Sequence, residues 1–148
     1  KIKNETLVHR DFHVSNLMMH KKKFATIDTQ DAQIGNRAYD LASLIDDVRF
    51  KSDKKLKNNI YNYYLKLSKN KINKVIFLND FEILSVIRNM KIIGIFTRLA
   101  LRDKKKVYLK LIPYAWKLME LRMQNNQIFD GLKIVLDVNF PKKIRNLK

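Results

Sequence analysis

The sequence predicts an α+β fold that is mainly helical, with a small β-hairpin near the start of the chain and helices after it. Two short apolar runs, residues 17–20 and 24–28, are separated by three lysines, which is typical of a hairpin whose charged turn faces water. From about residue 39 onwards, apolar residues recur at the spacing of amphipathic helices. The chain has 148 residues, 46% of them hydrophobic, so it can bury one core of ordinary domain size.

The first predicted elements are β-strands. Residues 6–8 should form a short strand that leads into a loop over residues 9–16. The hairpin then carries Asn16 at the start of one arm and Asp28 at the end of the other. Since adjacent antiparallel strands bring these two ends together, both side chains should reach the same edge. Residues 1–37 are therefore predicted to carry the loop and the hairpin.

Residues 38–140 are predicted to form a helical subdomain. Its first helix should span residues 39–48, where the apolar positions share one face and Asp46 and Asp47 occupy the other. The charged connection and the second helix expected after it span residues 51–57 and 56–67.

Two longer helices are expected in the second half of the chain. Asn79 or Asp80 has the side chain of an N-cap, and the helix that follows should run to about Arg102. Residues 107–125 should form the other helix, bent near Pro113 because proline removes a backbone donor.

A short helix over residues 128–138 and a basic tail after Pro141, expected to be frayed, should close the chain. The whole sequence is strongly basic, with a formal net charge of +17. Such a charge is typical of proteins that bind nucleic acid or anionic membranes. Here the lysines are scattered and accompany abundant Asn and Ile, the bias of an AT-rich genome. Nucleic-acid binding is therefore not expected, although a basic interaction module stays open as another class of function.

The composition also excludes some kinds of site. The chain contains no cysteine, which excludes a disulfide framework and a thiolate metal site. The most apolar stretch, residues 92–100, is interrupted by charge, so no bilayer-spanning segment is expected. Nothing at the N-terminus resembles a signal peptide.

The most specific feature is a pair of short motifs. Residues 9–16 read H-R-D-F-H-V-S-N, and residues 27–31 read I-D-T-Q-D. The first resembles the H-R-D-x-x-x-x-N catalytic loop of the kinase superfamily, and Asp28 then falls where the second magnesium-binding carboxylate of that superfamily belongs. The resemblance implies transfer of the γ-phosphoryl group of ATP, with Mg²⁺ as cofactor and ATP as co-substrate.

The surrounding residues narrow the resemblance. Residues 28–44 include D-T-Q-D-A, then Gly35 and the run Y-D-L-A-S-L, which is similar to the aminoglycoside phosphotransferase and choline kinase branch of the protein-kinase-like fold. A second block at residues 90–103 resembles the C-terminal helical region of the bacterial kinases of cell-wall recycling. Those enzymes phosphorylate the anomeric hydroxyl of N-acetylmuramate and N-acetylglucosamine. Thr29 departs from the aromatic residue common in the wider superfamily.

The resemblance implies a role for each residue of the first motif. Asp11 would be the catalytic base that receives the proton of the acceptor hydroxyl, and Asn16 and Asp28 would be the magnesium ligands. His13 would either donate a hydrogen bond to the transferring phosphoryl group or fix the loop. Two further residues would be structural: His9 would tie the loop to the Asp28 segment, and Asp40 would accept hydrogen bonds from loop amides.

Three other residues are candidates for binding the acceptor. Asp31 would either line the acceptor site or cap the next turn. Arg98 and Arg102 stand one helical turn apart and could face one groove, where an arginine would suit a sugar with an acetamide or a carboxylate. An ordinary solvated basic face is the alternative for these two arginines.

The family implied by the motifs also implies an additional lobe. The catalytic loop begins at residue 9, and the three glycines Gly35, Gly94 and Gly131 cannot form a G-x-G-x-x-G phosphate loop. We therefore expect residues 1–148 to be the C-terminal lobe of a two-lobed kinase, without its N-terminal nucleotide-binding lobe and inactive alone. With an ATP-dependent chemistry, a cytoplasmic location is the default expectation. The alternatives are an aminoglycoside- or choline-type kinase, or a non-catalytic helical module.

Overall fold

The computed structural model describes residues 2–68 and 72–146. The described residues do not include residues 1, 69–71 and 147–148. The first residue of the predicted 1–37 segment and the end of the predicted tail therefore lie outside the described residues. The chain divides into two compact units, Lys1–Leu84 and Ser85–Lys148. The predicted α+β, mainly helical fold is confirmed.

The strands and most of the helices are short. The strands found in residues 2–68 and 72–146 are β1 (Thr6–Val8), β2 (Leu17–His20), β3 (Lys23–Thr26) and β4 (Gln33–Gly35). The α-helices within the described ranges are α1 (Ala38–Ile45), α2 (Lys54–Leu67), α3 (Lys74–Leu101), α4 (Ile112–Met123), α5 (Asp130–Asn139) and α6 (Lys142–Arg145), with 3₁₀ turns at Val14–Asn16, Lys106–Leu111 and Gln127–Phe129.

The predicted hairpin is formed by β2 and β3, which pair antiparallel from Leu17 opposite Thr26 to His20 opposite Lys23. The turn therefore has two residues, and not the three lysines predicted. Lys21 and Lys22 both have positive φ, 46° and 64°, as the turns that match the twist of a two-residue hairpin require. The third lysine is the first residue of β3.

Strand β4 was not predicted, and it pairs antiparallel with β1. The two strands approach closely at Gly35, where a Cβ atom would lie 2.6 Å from Val8 Cγ2. Glycine is therefore the residue that fits this position. The pairing places the loop at residues 9–16 directly after β1 and places α1 directly after β4.

The core of the first unit lies among α1, α2 and the first turns of α3. Phe77 and Phe81 of α3 are almost fully buried, and Tyr61 and Tyr64 of α2 pack on them. The Tyr64 and Phe77 rings are stacked, with centroids 5.4 Å apart. Burying each phenylalanine contributes about 1.5–3 kcal/mol. The buried aliphatic members of this core are Ala38, Leu41, Ala42 and Ile45.

The prediction that Asp46 and Asp47 lie on an exposed face is wrong. Helix α1 ends at Ile45, and both carboxylates are fully buried. Asp46 Oδ1 accepts a hydrogen bond of 2.9 Å from Lys57 Nζ, which also donates to the carbonyl of Ile45 at 2.8 Å. A buried charge is tolerated when it is paired and hydrogen-bonded in this way.

Two helices begin before their predicted positions. Asp53 caps α2 by accepting a hydrogen bond from Leu56 N at 2.7 Å, so the helix includes most of the predicted charged connection. Asn73 Oδ1 accepts hydrogen bonds from the amides of Val75 and Ile76, both at 3.1 Å. Helix α3 therefore starts at Lys74, and the N-cap expected at residue 79 or 80 is wrong.

Pro113 starts a helix and does not bend one. The predicted helix over residues 107–125 is a 3₁₀ turn, Lys106–Leu111, followed by α4. Pro113 lies in the first turn of α4, where its missing N–H would have no helical partner in any case.

In the part of the basic tail that the structure describes, Lys142–Arg145 form helix α6, contrary to the prediction that the tail frays. Arg145 of α6 is buried, and its guanidinium donates to Glu120 at 2.8 Å, to Asp137 and to the carbonyl of Phe140. It also stacks 5.0 Å from the ring centroid of Trp116. Burial lowers the pKa of Arg145, but the hydrogen bonds to the two acids outweigh that effect and raise the pKa. The cation is thereby kept charged inside the second unit.

Within the described part of the chain, the helices are either too short or too polar to cross a lipid bilayer.

Replacing Lys57 with methionine should lower the free energy of unfolding by about 3–5 kcal/mol, because Asp46 would be left buried without its cation. Urea denaturation measures this change. Adding Asp46→Leu should recover much of the loss, since the unpaired charge is then removed. The matched control is Lys55→Met, an exposed lysine on the same helix, which should change stability by less than about 0.5 kcal/mol. Equal effects of the two single substitutions would contradict the role of the buried pair.

Candidate active site

The loop between β1 and the hairpin is fixed at its start by Asp40 of α1. The carboxylate accepts hydrogen bonds from the amides of His9, at 2.7 Å, and Arg10, at 3.0 Å. Arg10 has a φ of 73°, a conformation that side chains other than glycine rarely adopt. The two bonds to Asp40 therefore help to hold a strained turn directly before Asp11.

The end of the same loop is fixed by Asp47, a residue that sequence reasoning placed on the wrong face. Asp47 Oδ2 accepts a hydrogen bond of 3.2 Å from the amide of Val14. Its other oxygen, Oδ1, accepts one of 3.0 Å from the amide of Arg49 and lies 3.5 Å from Arg49 Nη1. One feature of the sequence could have indicated this role. Asp47 lies seven residues after Asp40, which is about two helical turns, so the two carboxylates could be expected on the same side.

Asp11 lies between these two anchors and is fixed through its main chain. Its carbonyl accepts hydrogen bonds from the amide of His13 and from the side-chain amide of Asn16, both at 3.0 Å. Neither bond uses the carboxylate of Asp11. The bond from Asn16 also uses only the nitrogen of that side chain, which leaves the amide oxygen, the atom that binds metal ions.

Asn16 and Asp28 are brought to the same end of the hairpin, as its register requires. The amide of Ile27 donates to the carbonyl of Asn16 at 3.1 Å, one step beyond the last strand pair. Asp28 follows directly, with a φ of 68°, and its carboxylate accepts a hydrogen bond from Gln30. Asn16 is therefore near Asp28 in the fold and is bonded to Asp11.

His9 joins the loop to the residue before Asp28. Its Nε2 donates to the carbonyl of Ile27 at 2.9 Å, and its ring packs edge-to-face on Phe12 with centroids 6.0 Å apart. This is the connection expected of a structural histidine in this loop. His13 is half-buried in the same loop, and its proposed contact with phosphate stays a prediction.

Asp31 is exposed, and its backbone carbonyl lies 3.5 Å from Arg10 Nη1. Both residues lie in the first unit, close to the hairpin end. The carboxylate of Asp31 remains a candidate for the acceptor site, and that role stays a prediction.

Arg98 and Arg102 lie in the second unit, at the end of α3. The amide of Arg102 donates to the carbonyl of Arg98 at 2.8 Å, which places the residues one turn apart. The guanidinium of Arg102 binds Asp103 through two hydrogen bonds, of 2.6 and 3.1 Å, and these lower the pKa of Asp103. An anionic ligand would therefore compete with Asp103 for Arg102. Their role in binding an acceptor stays a prediction.

The oxygen atoms available at the hairpin end are few, which suits Mg²⁺ better than a metal ion that is coordinated entirely by protein side chains. Among the residues that the structure describes, no group of three His, Cys, Asp or Glu side chains could hold a metal ion. Asn16 and Asp28, whose roles as metal ligands stay a prediction, would supply one amide oxygen and one carboxylate. Mg²⁺ is typically bound through one or two such protein ligands, with water and substrate phosphates completing its shell.

A paramagnetic ion should locate this site without nucleotide. We expect Mn²⁺, used in place of Mg²⁺, to broaden the amide signals of Asn16, Ile27 and Asp28 in NMR spectra before other signals. Asp28→Asn should reduce the broadening, because the carboxylate charge is removed. Asp130→Asn, an exposed carboxylate of α5, is the control and should leave it unchanged. Broadening that is equally strong around Asp130 would contradict a specific site.

Part of this chain is similar to a known protein family. Residues 3–71 match the family model described as "Phosphotransferase enzyme family". This segment contains the loop, the hairpin and helices α1 and α2. The resemblance predicted from the two short motifs is thereby confirmed.

Three curated relatives carry the name N-acetylmuramate/N-acetylglucosamine kinase. The protein from Neisseria meningitidis is 35% identical over 111 residues, which is 72% of this chain and 33% of the relative. The Pseudomonas aeruginosa protein is 32% identical over 119 residues, 76% of this chain and 35% of the relative. The Caulobacter vibrioides protein is 29% identical over 118 residues, 76% of this chain and 32% of the relative. The chain thus spans about a third of the length of each relative.

Proposed function

Because residues 3–71 match the phosphotransferase enzyme family, we propose that this chain supplies the catalytic residues of an ATP-dependent kinase. The acceptor would be a hydroxyl group of a small molecule. The observation that carries this proposal is the hydrogen-bonded chain that joins Asp11 to Asn16 and Asn16 to the Asp28 segment. These bonds support the proposal because they connect the residue proposed as the base with the two residues proposed as metal ligands.

The chemistry assigned to the loop is mainly positioning. The carboxylate of Asp11 orients the acceptor hydroxyl and takes its proton as the oxygen attacks phosphorus. Asn16 and Asp28 would hold Mg²⁺, which would supply neutralisation of the charge on the phosphates. His13 either donates a hydrogen bond to the transferring phosphoryl group or fixes the loop. His9 and Asp40 hold the loop in the required conformation.

The acceptor that we propose is an N-acetylated amino sugar, phosphorylated at its anomeric hydroxyl. The names of the three relatives support this choice over an aminoglycoside or choline. Asp31, Arg98 and Arg102 are the residues that we propose to bind the sugar. A guanidinium suits the lactyl carboxylate of N-acetylmuramate, and a carboxylate can accept hydrogen bonds from sugar hydroxyls. Phosphorylation of such a sugar would fit a role in cell-wall recycling in the cytoplasm, which the motifs led us to expect.

Nucleotide binding by kinases uses a glycine-rich loop over the phosphates, and these 148 residues contain no such motif. The three glycines are separated by at least 37 positions in the sequence, so none of them can contribute to a shared glycine-rich phosphate loop. We propose that an N-terminal nucleotide-binding lobe provides that part. The matched relatives are about three times as long as the region they share with this chain, which leaves room for such a lobe.

The acceptor can be tested with a chimera in which this chain replaces the matching third of the Neisseria meningitidis relative. We expect ATP-dependent conversion of N-acetylmuramate or N-acetylglucosamine into a 1-phosphate, detected by phosphorus NMR. Asp11→Asn should lower kcat by a factor of about 10²–10⁴, because the base is lost. The unmodified relative is the positive control.

A substrate panel makes this test decisive. Turnover of choline or an aminoglycoside, with none of the amino sugars, would move the assignment to that branch of the family. A folded chimera without any turnover, beside an active parent enzyme, would contradict the kinase function of this chain.

The 148-residue chain alone should show no useful phosphotransferase activity. The rate of phosphoryl transfer depends on holding nucleotide, metal ion and acceptor in line. The chain alone would lack the proposed lobe that binds the nucleotide. The assay compares the wild-type chain with Asp11→Asn at high protein concentration. Asp11-dependent turnover by the chain alone would show that nucleotide binding needs no further lobe.

A further inference from the structure

The loop that carries Asp11 is held at both ends by carboxylates from one short stretch of chain. Asp40 lies in the first turn of α1, and Asp47 lies two residues beyond its end. Asp40 accepts the amides at the start of the loop, and Asp47 accepts the amide of Val14 near its end. Asp11 lies between the two attachments, one residue after the first and three residues before the second.

Asp47 is anchored so firmly that it can define the position of the loop. It is fully buried, and it accepts hydrogen bonds through both oxygens. A buried carboxylate is costly unless donors surround it. Arg49 supplies one of those donors, its amide, and its guanidinium Nη1 forms an ion pair with the same oxygen at 3.5 Å. The remaining donor is the amide of Val14, so a movement of the loop away from Asp47 would leave Oδ2 without this partner.

We propose that Asp47 is a positioning residue for the phosphoryl transfer assigned to Asp11. It acts through the main chain of the loop and touches no reacting atom. Its bond to Val14 fixes the segment that runs from Asp11 to Asn16, and Asn16 in turn holds the carbonyl of Asp11. The role in catalysis rests on the proposed kinase function, whereas the restraint on the loop does not.

A purely stabilising role is the alternative, and Asp46 provides the comparison. Asp46 is the adjacent residue, is equally buried, and pairs with Lys57 of α2. If Asp47 only stabilises the fold, Asp46→Asn and Asp47→Asn should have similar effects. If Asp47 positions the loop, only its substitution should loosen residues 13–16.

Val14→Pro removes the other partner of the same hydrogen bond and leaves Asp47 intact. Val14 is the first residue of a 3₁₀ turn, a position that tolerates proline. His13 before it has φ −134° and ψ 166°, the extended conformation that a residue preceding proline adopts. Val14 is 39% exposed and is not part of the buried core, so the substitution leaves that core unchanged. This variant keeps the proposal testable even if Asp47→Asn does not fold.

Hydrogen exchange on the 148-residue chain is the first measurement, because it needs no catalysis. We expect the amides of Asn16 and Leu17, which donate to the carbonyls of His13 and Val14, to exchange about tenfold faster in Asp47→Asn and in Val14→Pro. A lost bond of about 1.4 kcal/mol corresponds to a factor of ten. Asp46→Asn should leave these amides at the wild-type rate while lowering the melting temperature. Unchanged exchange in both loop variants, or equal changes in Asp46→Asn, would overturn the proposal.

Catalysis in the chimera is the second measurement. At a temperature where all variants are folded, Asp47→Asn and Val14→Pro should lower kcat about 10²-fold, the cost of misplacing a catalytic group by about 1 Å, with little change in KM for ATP. Asp46→Asn should retain kcat. Loosened loop amides with wild-type kcat would overturn the positioning role. A chimera that fails with every acceptor would instead count against the proposed function, and the exchange result would still decide whether Asp47 restrains the loop.

Discussion

The candidate site depends on how the main-chain amides of one loop are satisfied. A loop that leaves the regular strand pattern has backbone donors without partners, and buried donors must find an acceptor. Here the partners are the carboxylates of Asp40 and Asp47, which come from the beginning of α1 and from just beyond its end. The pairing of β1 with β4 brings that helix next to the loop, because β4 leads directly into it. Strand pairing, helix position and loop conformation are therefore one coupled arrangement.

Local patterns predicted the parts of the fold that depend on neighbouring residues. The strand Thr6–Val8, the hairpin and the helical second half follow from apolar spacing and turn residues, which act over a few positions. Strand β4 was missed because its three residues pair with β1 across more than twenty positions, a contact that no short pattern reports. The burial of Asp47 was missed for a related reason. Apolar periodicity gives the face of a helix but not the residue at which the helix ends.

Charge was the least reliable guide to exposure in this chain. Lys57 and Arg145 are buried, although each lies in a segment that reads as solvated and basic. Each is stabilised by carboxylates that lie 8 to 25 positions away in the sequence. A buried cation is recognisable only from its partners, because desolvation costs several kcal/mol unless an anion and further hydrogen bonds offset it. Composition alone contains no information about such pairs.

The site also stores strain that the surrounding bonds must offset. Arg10 and Asp28 both have positive φ. This conformation costs about 1–2 kcal/mol for most residues other than glycine, and less for aspartate, whose short side chain tolerates it better. The main-chain amide of Arg10 donates a hydrogen bond to the carboxylate of Asp40. The residue before Asp28, Ile27, is held by two hydrogen bonds: its amide donates to the carbonyl of Asn16, and its carbonyl accepts from His9. Strained conformations persist only where the surroundings over-determine them, and they concentrate at functional sites. Arg10 directly precedes the proposed base, and Asp28 is itself a proposed metal ligand. The hydrogen bonds around these two residues therefore restrain the main chain at both proposed positions before any substrate binds.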